Sequence, residues 1–207
     1  MKSRNIWIIA FLFLVLLLPT TILLRKKAPK AASEPIRHPF ATKAQKEELF
    51  RLFKGLEIKT LIDIPCGDVQ WIYEIKSFIS GYFGIDSEEK VLQKNRERYG
   101  GGSIHFQNLD ISKDPLPEAD LIFCHDALNT LSQNEILASL LLFKKSGAKY
   151  LLLTTCPDKE KNQKGKKGVY RPIHWQLPPY NFPKPLLLLN DPTEQNKKLA
   201  LWRLEDL

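Results

Sequence analysis

Acidic side chains stand at the ends of four predicted strands in this sequence. They are Asp63, Asp86, Asp110 and Asp126, and His125 directly precedes the last of them. In a parallel sheet such strand ends gather at one edge, and ligands bind there near the point where the strand order reverses. Carboxylates in this position can accept hydrogen bonds from two vicinal hydroxyls and can stabilise a cation. Histidine titrates near neutrality, so His125 could position an acceptor or take its proton.

The turn after the first strand restricts the kind of ligand that this edge can hold. A dinucleotide loop needs glycines at three places so that its backbone can approach a pyrophosphate. Residues 65–68 read PCGD and contain only Gly67, while Pro65 and Val69 stand where glycines would be expected. Asp68 would also repel a phosphate. A ligand with a ribose and a cation but no phosphate fits these residues better.

The spacing of the first two acids also favours a ribose. Asp63 and Asp86 are 23 residues apart, close to the roughly 20 residues that divide a glycine loop from the ribose-binding acid of dinucleotide folds. Simpler interpretations remain for each acid. Asp63 could cap a strand end, Asp86 could be an acid at a helix start, and Asp110 could be an ordinary turn residue.

Alternating strands and helices must position these side chains. Capping-box spacings at Thr42/Gln45 and Ser132/Glu135 begin two of the helices. The pattern predicts an α/β fold with a mostly parallel sheet of about seven strands, helices on both faces and a C-terminal antiparallel hairpin. The predicted elements are helix 42–55, strand 60–64, helix 68–80, strand 81–86, a helix from 87 to Gly100, strands 103–107 and 119–125, helix 132–147, strand 150–155, a loop 156–185 and two closing strands.

The first 24 residues predict a transmembrane anchor. Residues 5–24 carry no charge, and 20 residues at about 1.5 Å each would span the roughly 30 Å hydrocarbon core. A cleaved signal peptide is the alternative, but its apolar core would be shorter. Residues 25–39 predict a basic, proline-containing linker, which leaves 40–207 as the domain. The heavier positive flank after the span favours a single-pass membrane protein with its domain on the cytoplasmic side.

Charge and cysteine content exclude several classes of function. The formal charge is +8, but residues 1–30 hold six basic residues and no acid, so the remainder is close to neutral and no nucleic-acid partner is expected. The three cysteines, Cys66, Cys124 and Cys156, lack the spacing of metal ligands, so no metal site is predicted. Unpaired thiols also fit a reducing compartment.

Four segments, in order, resemble motifs of the class I S-adenosylmethionine-dependent methyltransferases. They are LIDIPCGD, YFGID, FQNLDISKDPLP and ADLIFCHDALNTLS, and the resemblance covers about residues 42–207. The first segment also matches the D-x-P-C-G-D-x-x-W motif of one subgroup. The matching positions are Asp63, Pro65, Cys66, Gly67, Asp68 and Trp71. The segment YRPIHWQLPPYNFPKP is similar to an R-P-[LI]-N-L…P-x-x-x-P segment of that subgroup.

This resemblance implies a Rossmann-like methyltransferase fold, S-adenosylmethionine as cofactor and a set of cofactor-binding residues. Asp63 and the backbone of residues 66–68 would face the methionine part of the cofactor, and Asp86 would bind the ribose hydroxyls. Asp110 and the backbone of Ile111 would contact adenine. The implied cofactor residues are therefore Asp63, Cys66, Gly67, Asp68, Asp86, Asp110 and Ile111.

The acceptor side of the site is predicted from fewer residues. The resemblance places His125 next to the donor methyl, and His125 and Asp126 are the candidate catalytic residues. Arg171 and His174 either bind the acceptor or anchor the long loop. The predicted function is methyl transfer to a small or membrane-associated acceptor. Because the subgroup has arginine at position 125 and histidine near Thr130, the alternative is a degenerate fold that serves as a membrane-tethered binding or scaffold protein.

Overall fold

The computed structural model describes residues 43–191 and 196–207. The predicted span at 5–24, the linker at 25–39 and the capping residue Thr42 lie outside the described residues. Among the residues that are described, no helix combines the length and the apolar character that crossing a bilayer requires.

Seven strands form one sheet in the order β3-β2-β1-β4-β5-β7-β6. Strands β1 to β5 run parallel, whereas β7 is antiparallel to both β5 and β6. The predicted sheet and its closing hairpin are therefore confirmed. The strands are β1 Thr60–Ile64, β2 Gly81–Ile85, β3 Ile104–Gln107, β4 Leu121–Cys124, β5 Tyr150–Thr155, β6 Leu187–Asn190 and β7 Lys198–Arg203.

Helices cover both faces of the sheet, as the alternation of elements predicts. The helices are α1 Lys43–Gly55, α2 Ile72–Ile75, α3 Glu89–Tyr99 and α4 Gln133–Lys145, with short 3-10 helices at Leu128–Thr130 and Leu204–Asp206. Leu49 of α1 and Leu92 of α3 belong to the apolar cluster on one face, and Phe143 of α4 belongs to the cluster on the other. The central strands are buried on both faces, which explains their nearly continuous apolar sequences.

The predicted helix over 68–80 is wrong in its extent. Only the four residues of α2 are helical, and Asp68 caps no helix but forms an ion pair with Lys94 at 2.6 Å. Trp71, Ile72 and Ile75 all face the core, with 4% exposure or less. These three positions fall on one side of a helix, which is why the apolar pattern predicts one, but a single helical turn is enough to bury them. Tight turns close before and after it, through hydrogen bonds from Ile72 N–H to the Val69 carbonyl and from Phe78 N–H to the Ile75 carbonyl. The capping box of Ser132 and Glu135, by contrast, is confirmed at the start of α4.

Asp120 ties together the amino ends of three neighbouring strands. Its Oδ2 accepts hydrogen bonds from the backbone N–H groups of Lys59 and Thr60, and its Oδ1 accepts one from Lys149. Burial raises the pKa of Asp120, but these donors outweigh it and hold the pKa at about 2. The carboxylate fixes the register of β1, β4 and β5, so the carboxyl ends of these strands meet at one edge.

Candidate functional site

The loop after β1 is held through the peptide groups of a single glycine. Gly67 has φ +52°, in the left-handed region that favours glycine. Its N–H donates to Oδ2 of Asp86 at 3.1 Å, and its carbonyl accepts from Nδ2 of Asn95 at 2.6 Å. The end of β2 and the buried side of α3 therefore fix this loop from opposite directions.

Asp86 lies at the carboxyl end of β2 and is 8% exposed. Besides the Gly67 N–H, its carboxylate accepts the N–H of Glu88 at 3.0 Å, through Oδ1. A carboxylate has about four lone-pair sites, so each oxygen keeps one for a further donor. The backbone N–H of Asp86 donates to Gln107 at 3.3 Å, which brings the loop after β3 alongside the loop after β2.

Asp63 lies beneath the same loop and is fully buried. The hydroxyl of Tyr82 donates to its Oδ2 at 2.6 Å. Burial, followed by the nearby charges of Asp63 and Asp86, raises the pKa of the Cys66 thiol. Two carboxylates thus give the loop a negative electrostatic field, and burial keeps Cys66 a neutral thiol without nucleophilic character.

Asp110 stabilises its own turn. Its Oδ1 accepts from the N–H and hydroxyl of Ser112, and its Oδ2 pairs with Lys113 at 2.6 Å. The hydrogen bond from Lys113, followed by that from the Ser112 hydroxyl, lowers the pKa of Asp110. Ile111 is 8% exposed and belongs to the core beside this turn. These contacts order the loop that the resemblance assigns to adenine.

A cluster of polar and ionisable side chains surrounds the carboxyl end of β4. Nε2 of His125 lies 2.8 Å from Oδ2 of Asp191, and Oδ2 of Asp126 accepts from Nζ of Lys197 at 2.9 Å. The Nδ1 of His125 lies 3.8 Å from the Asp126 carboxylate. The backbone N–H of Asp126 donates to Thr154, although Asp126 has the strained φ of +59°. We call these four side chains (His125, Asp126, Asp191 and Lys197) the β4 cluster.

Arg171 and His174 make contacts that hold the long loop to the rest of the domain. Arg171 is 6% exposed, and its Nη1 donates to the carbonyl of Leu131 at 2.5 Å. Its backbone also exchanges hydrogen bonds with Asn129, one of them through the Asn129 side chain. Nδ1 of His174 lies 2.9 Å from the carbonyl of Lys159. These contacts correspond to the loop-anchoring alternative for both residues.

A cleft of about 540 Å³ opens beyond the carboxyl end of β5. Lys197 belongs both to its wall and to the β4 cluster, and the Nζ of Lys197 lies 4.7 Å from the centre of the Tyr170 ring. We call it the β5 cleft. Its lining residues are Cys156, Asp158, Lys159, Tyr170, Pro172, Asn196 and Lys197.

Sequence reasoning missed four residues that shape this edge. Asn95 offered a signal, because it occupies a buried position in the apolar stripe of α3. Tyr82 lies in a strand that was predicted, but its partner Asp63 comes from the neighbouring strand. Asp191 and Lys197 gave no signal, since their approach to β4 depends on the register of the closing hairpin.

No family model matches this chain, and no curated protein sequence matches it. Solved structures do match its fold. They include a Burkholderia thailandensis 1,6-didemethyltoxoflavin-N1-methyltransferase with bound S-adenosylhomocysteine (TM-score 0.59, 11% identity, 76% of each chain covered) and the Escherichia coli protein yhhF (TM-score 0.54, 12% identity, 82% of this chain and 89% of that one).

A third similar structure is human N-acetylserotonin methyltransferase in complex with S-adenosylmethionine. The TM-score is 0.55 at 17% identity, and the match covers 77% of this chain and 51% of the human enzyme. The chain therefore spans about half the length of that protein. At these identities the likeness concerns the fold. The domain has the Rossmann-like fold of the S-adenosylmethionine-dependent methyltransferases.

Proposed function

We propose that this protein transfers the methyl group of S-adenosylmethionine to an acceptor molecule. The observation that carries the proposal is the pairing of Asp86 with the Gly67 peptide at the end of β2, beside the reversal of strand order between β1 and β4. Ligands of open α/β sheets bind at this position. The bound S-adenosylmethionine and S-adenosylhomocysteine of the similar structures support the same cofactor for this chain.

The residues in and around the loop after β1 suit this cofactor chemically. Asp86 keeps acceptor capacity on both oxygens for two ribose hydroxyls, in addition to its two backbone donors. The charges of Asp63 and Asp86 favour a ligand that carries a sulfonium and an ammonium group. The fixed peptide of Gly67 gives the ligand an ordered backbone surface, while Asp110 and Ile111 would border the adenine.

The cofactor would supply an electrophilic methyl group, and the main task of the chain is to align an acceptor with it. Methyl transfer gains most from in-line positioning, so a dedicated base is not required. His125 and Asp126 follow β4, between the proposed cofactor site and the β5 cleft. We propose that they position the acceptor side, because Asp126 holds the ammonium of Lys197 and His125 contacts Asp191.

Binding of S-adenosylhomocysteine tests the proposal most directly. The full chain in a neutral detergent is expected to bind it in isothermal titration. Asp86→Asn keeps the shape of the side chain but removes its charge and one of its two acceptor oxygens, so we expect affinity to fall at least about tenfold, since a hydrogen bond to a charged group contributes about 1.5–3 kcal/mol. Glu97→Gln, an exposed change on α3, is the matched control.

Two results of this titration would contradict the proposal. One is the absence of binding to a wild-type chain whose folding has been verified by circular dichroism. The other is equal affinity of the wild-type and Asp86→Asn proteins, because the ligand would then bind somewhere other than the end of β2.

We further propose that residues 5–24 anchor the chain in a membrane with the domain on the cytoplasmic side. The charge-free length of this segment and the basic residues that follow it support the proposal. In intact cells, the domain should resist external protease and become sensitive once the membrane is permeabilised. Release of the chain by alkaline carbonate would argue against the anchor, and cleavage in intact cells would argue against the orientation.

A membrane-tethered binding protein without turnover is the second candidate function. It is favoured by the burial of His125, which is 3% exposed and engaged with Asp191. This candidate predicts binding of S-adenosylhomocysteine but no transfer of radiolabelled methyl to any component of a cell extract. Transfer that is lost in Asp86→Asn would exclude it.

A further inference from the structure

We propose that the β5 cleft receives the methyl acceptor, and that this acceptor is a small organic anion whose phosphate or carboxylate group is attached to an apolar or planar body. This inference rests on the proposed function and adds the place and the chemical class of the acceptor. The argument uses the position of the cleft, its charge and the character of its walls.

The position of the β5 cleft suits an acceptor next to the proposed cofactor site. Asp86 and Gly67 lie at the ends of β2 and β1, on one side of β4. The cleft lies beyond β5, on the other side of β4, according to the strand order of the sheet. Lys197 in its wall contacts Asp126 directly after β4. The donor methyl and the acceptor atom of a molecule in the cleft would therefore meet over the end of β4.

The charge of the surrounding loop favours an anion. Residues 158–168 contain five lysines against Asp158 and Glu160. Lys159 lines the cleft and is exposed to solvent, while the ammonium of Lys197 at its wall is paired with Asp126. This field is opposite in sign to that of the β1 loop, where carboxylates lie. The loop after β1 therefore suits a cationic cofactor, and the loop beside the β5 cleft suits an anionic acceptor. A positive patch also speeds the encounter with an anion.

The walls of the cleft fit an apolar or planar body next to the anionic group. The ring of Tyr170 is 40% exposed, and Pro172 lies in the same wall. The Nζ of Lys197 lies 4.7 Å from the centre of this ring and packs it against the wall. A volume of about 540 Å³ lies within the usual range of roughly 300–1,000 Å³ for small-molecule sites.

The transfer balances without another reagent. A lone pair on an oxygen or nitrogen of the acceptor forms the new bond to the methyl carbon while the sulfonium–carbon bond breaks. The sulfonium becomes a neutral thioether, and the proton of the acceptor group passes to water in the open cleft. The anionic group of the acceptor is not consumed but pairs with Lys159.

Saturation-transfer difference NMR with benzoate and benzamide tests the inference on the full chain in neutral detergent. These probes share their ring and size and differ in charge, and empty micelles give the background. We expect a saturable signal for benzoate and phenyl phosphate, and at least about threefold weaker binding of benzamide. Lys159→Gln should weaken benzoate binding about threefold or more, whereas the exposed Lys145→Gln on α4 should not.

Lys197→Gln provides a second variant. We expect it to lose benzoate binding, and circular dichroism of the same sample shows whether the variant is folded. Equal binding of benzoate and benzamide, or benzoate binding that is insensitive to both Lys159→Gln and Lys197→Gln in folded proteins, would overturn the inference. Titration with S-adenosylhomocysteine in the same samples separates this failure from failure of the proposed function.

The anionic group could belong to a free metabolite or to a lipid headgroup, and vesicles distinguish these sources. A lipid source predicts that phosphatidic acid vesicles displace phenyl phosphate from the wild-type cleft while phosphatidylcholine vesicles do not. If the anionic group belongs to a free metabolite, neither kind of vesicle should displace phenyl phosphate. Either result supports the anionic cleft, provided that the Lys159→Gln effect is present.

Discussion

Replacing Asp191 with alanine is expected to lower the free energy of unfolding by about 1–3 kcal/mol, the usual cost of leaving a buried hydrogen-bonding group without its partner. Asp191 belongs to the connection between β6 and β7, and it lies against the ring of His125 at 2.8 Å. The side chains of the pair are 0% and 4% exposed, so water cannot replace the lost partner. The substitution also opens a small cavity in the β4 cluster, which adds to the loss.

Equilibrium unfolding in urea, followed by tryptophan fluorescence, measures this effect. Asp191→Asn keeps the volume and can still hydrogen-bond His125, so its loss should be clearly smaller. Asp206→Ala removes an exposed acid near the C-terminus and serves as the control. If Asp191→Ala cost no more than Asp206→Ala, the contact between the hairpin connection and β4 would not exist in solution.

The result bears on the role of His125. A large loss in Asp191→Ala together with a similar loss in His125→Ala, and little further loss in the double variant, would show that the two residues act as a pair. The pair would then serve to close the hairpin over β4. That role allows His125 to shape the acceptor side without exchanging a proton with the acceptor.

The sheet could be predicted from the sequence because buried strands leave a strong local pattern. Runs such as YLLLTT over 150–155 match β5 residue for residue, and a strand buried on both faces is nearly continuously apolar. The position of Asp86 after β2 follows from the same pattern. The helix predicted over 68–80 is too long, because a pattern of apolar residues does not show where tight turns begin and end a helix.

The acceptor side could not be predicted in the same way. Lys197 reaches Asp126 across 71 positions of sequence, and Asp191 reaches His125 across 66. Such contacts depend on the register of the hairpin and on the path of the loop from 156 to 185. Arg171 was singled out by resemblance, yet the cleft is lined by its neighbours Tyr170 and Pro172, while its own guanidinium donates to the carbonyl of Leu131.

Asn95→Leu is expected to lower the free energy of unfolding by about 2–3 kcal/mol and to weaken S-adenosylhomocysteine binding at least tenfold. Asn95 is fully buried and donates to the carbonyl of Gly67 at 2.6 Å. Leucine has the same branched shape but is bulkier, so the change leaves no cavity and adds a packing cost at this buried position. The change leaves the buried carbonyl of Gly67 without this donor, at a cost of about 1–3 kcal/mol, and releases the loop on the side opposite Asp86.

Urea unfolding and isothermal titration on the same protein separate the two effects. Gln93→Ala, an exposed change on the same helix that removes only a hydrogen bond to Glu97, should leave both unchanged. A folded Asn95→Leu protein that binds S-adenosylhomocysteine as tightly as the wild type would mean that the ligand does not use the Gly67 peptide. In that case the loop with one glycine would not be ordered for a cofactor by its neighbours. Weakened binding would instead show that Asn95 orders this loop for the ligand through the Gly67 carbonyl.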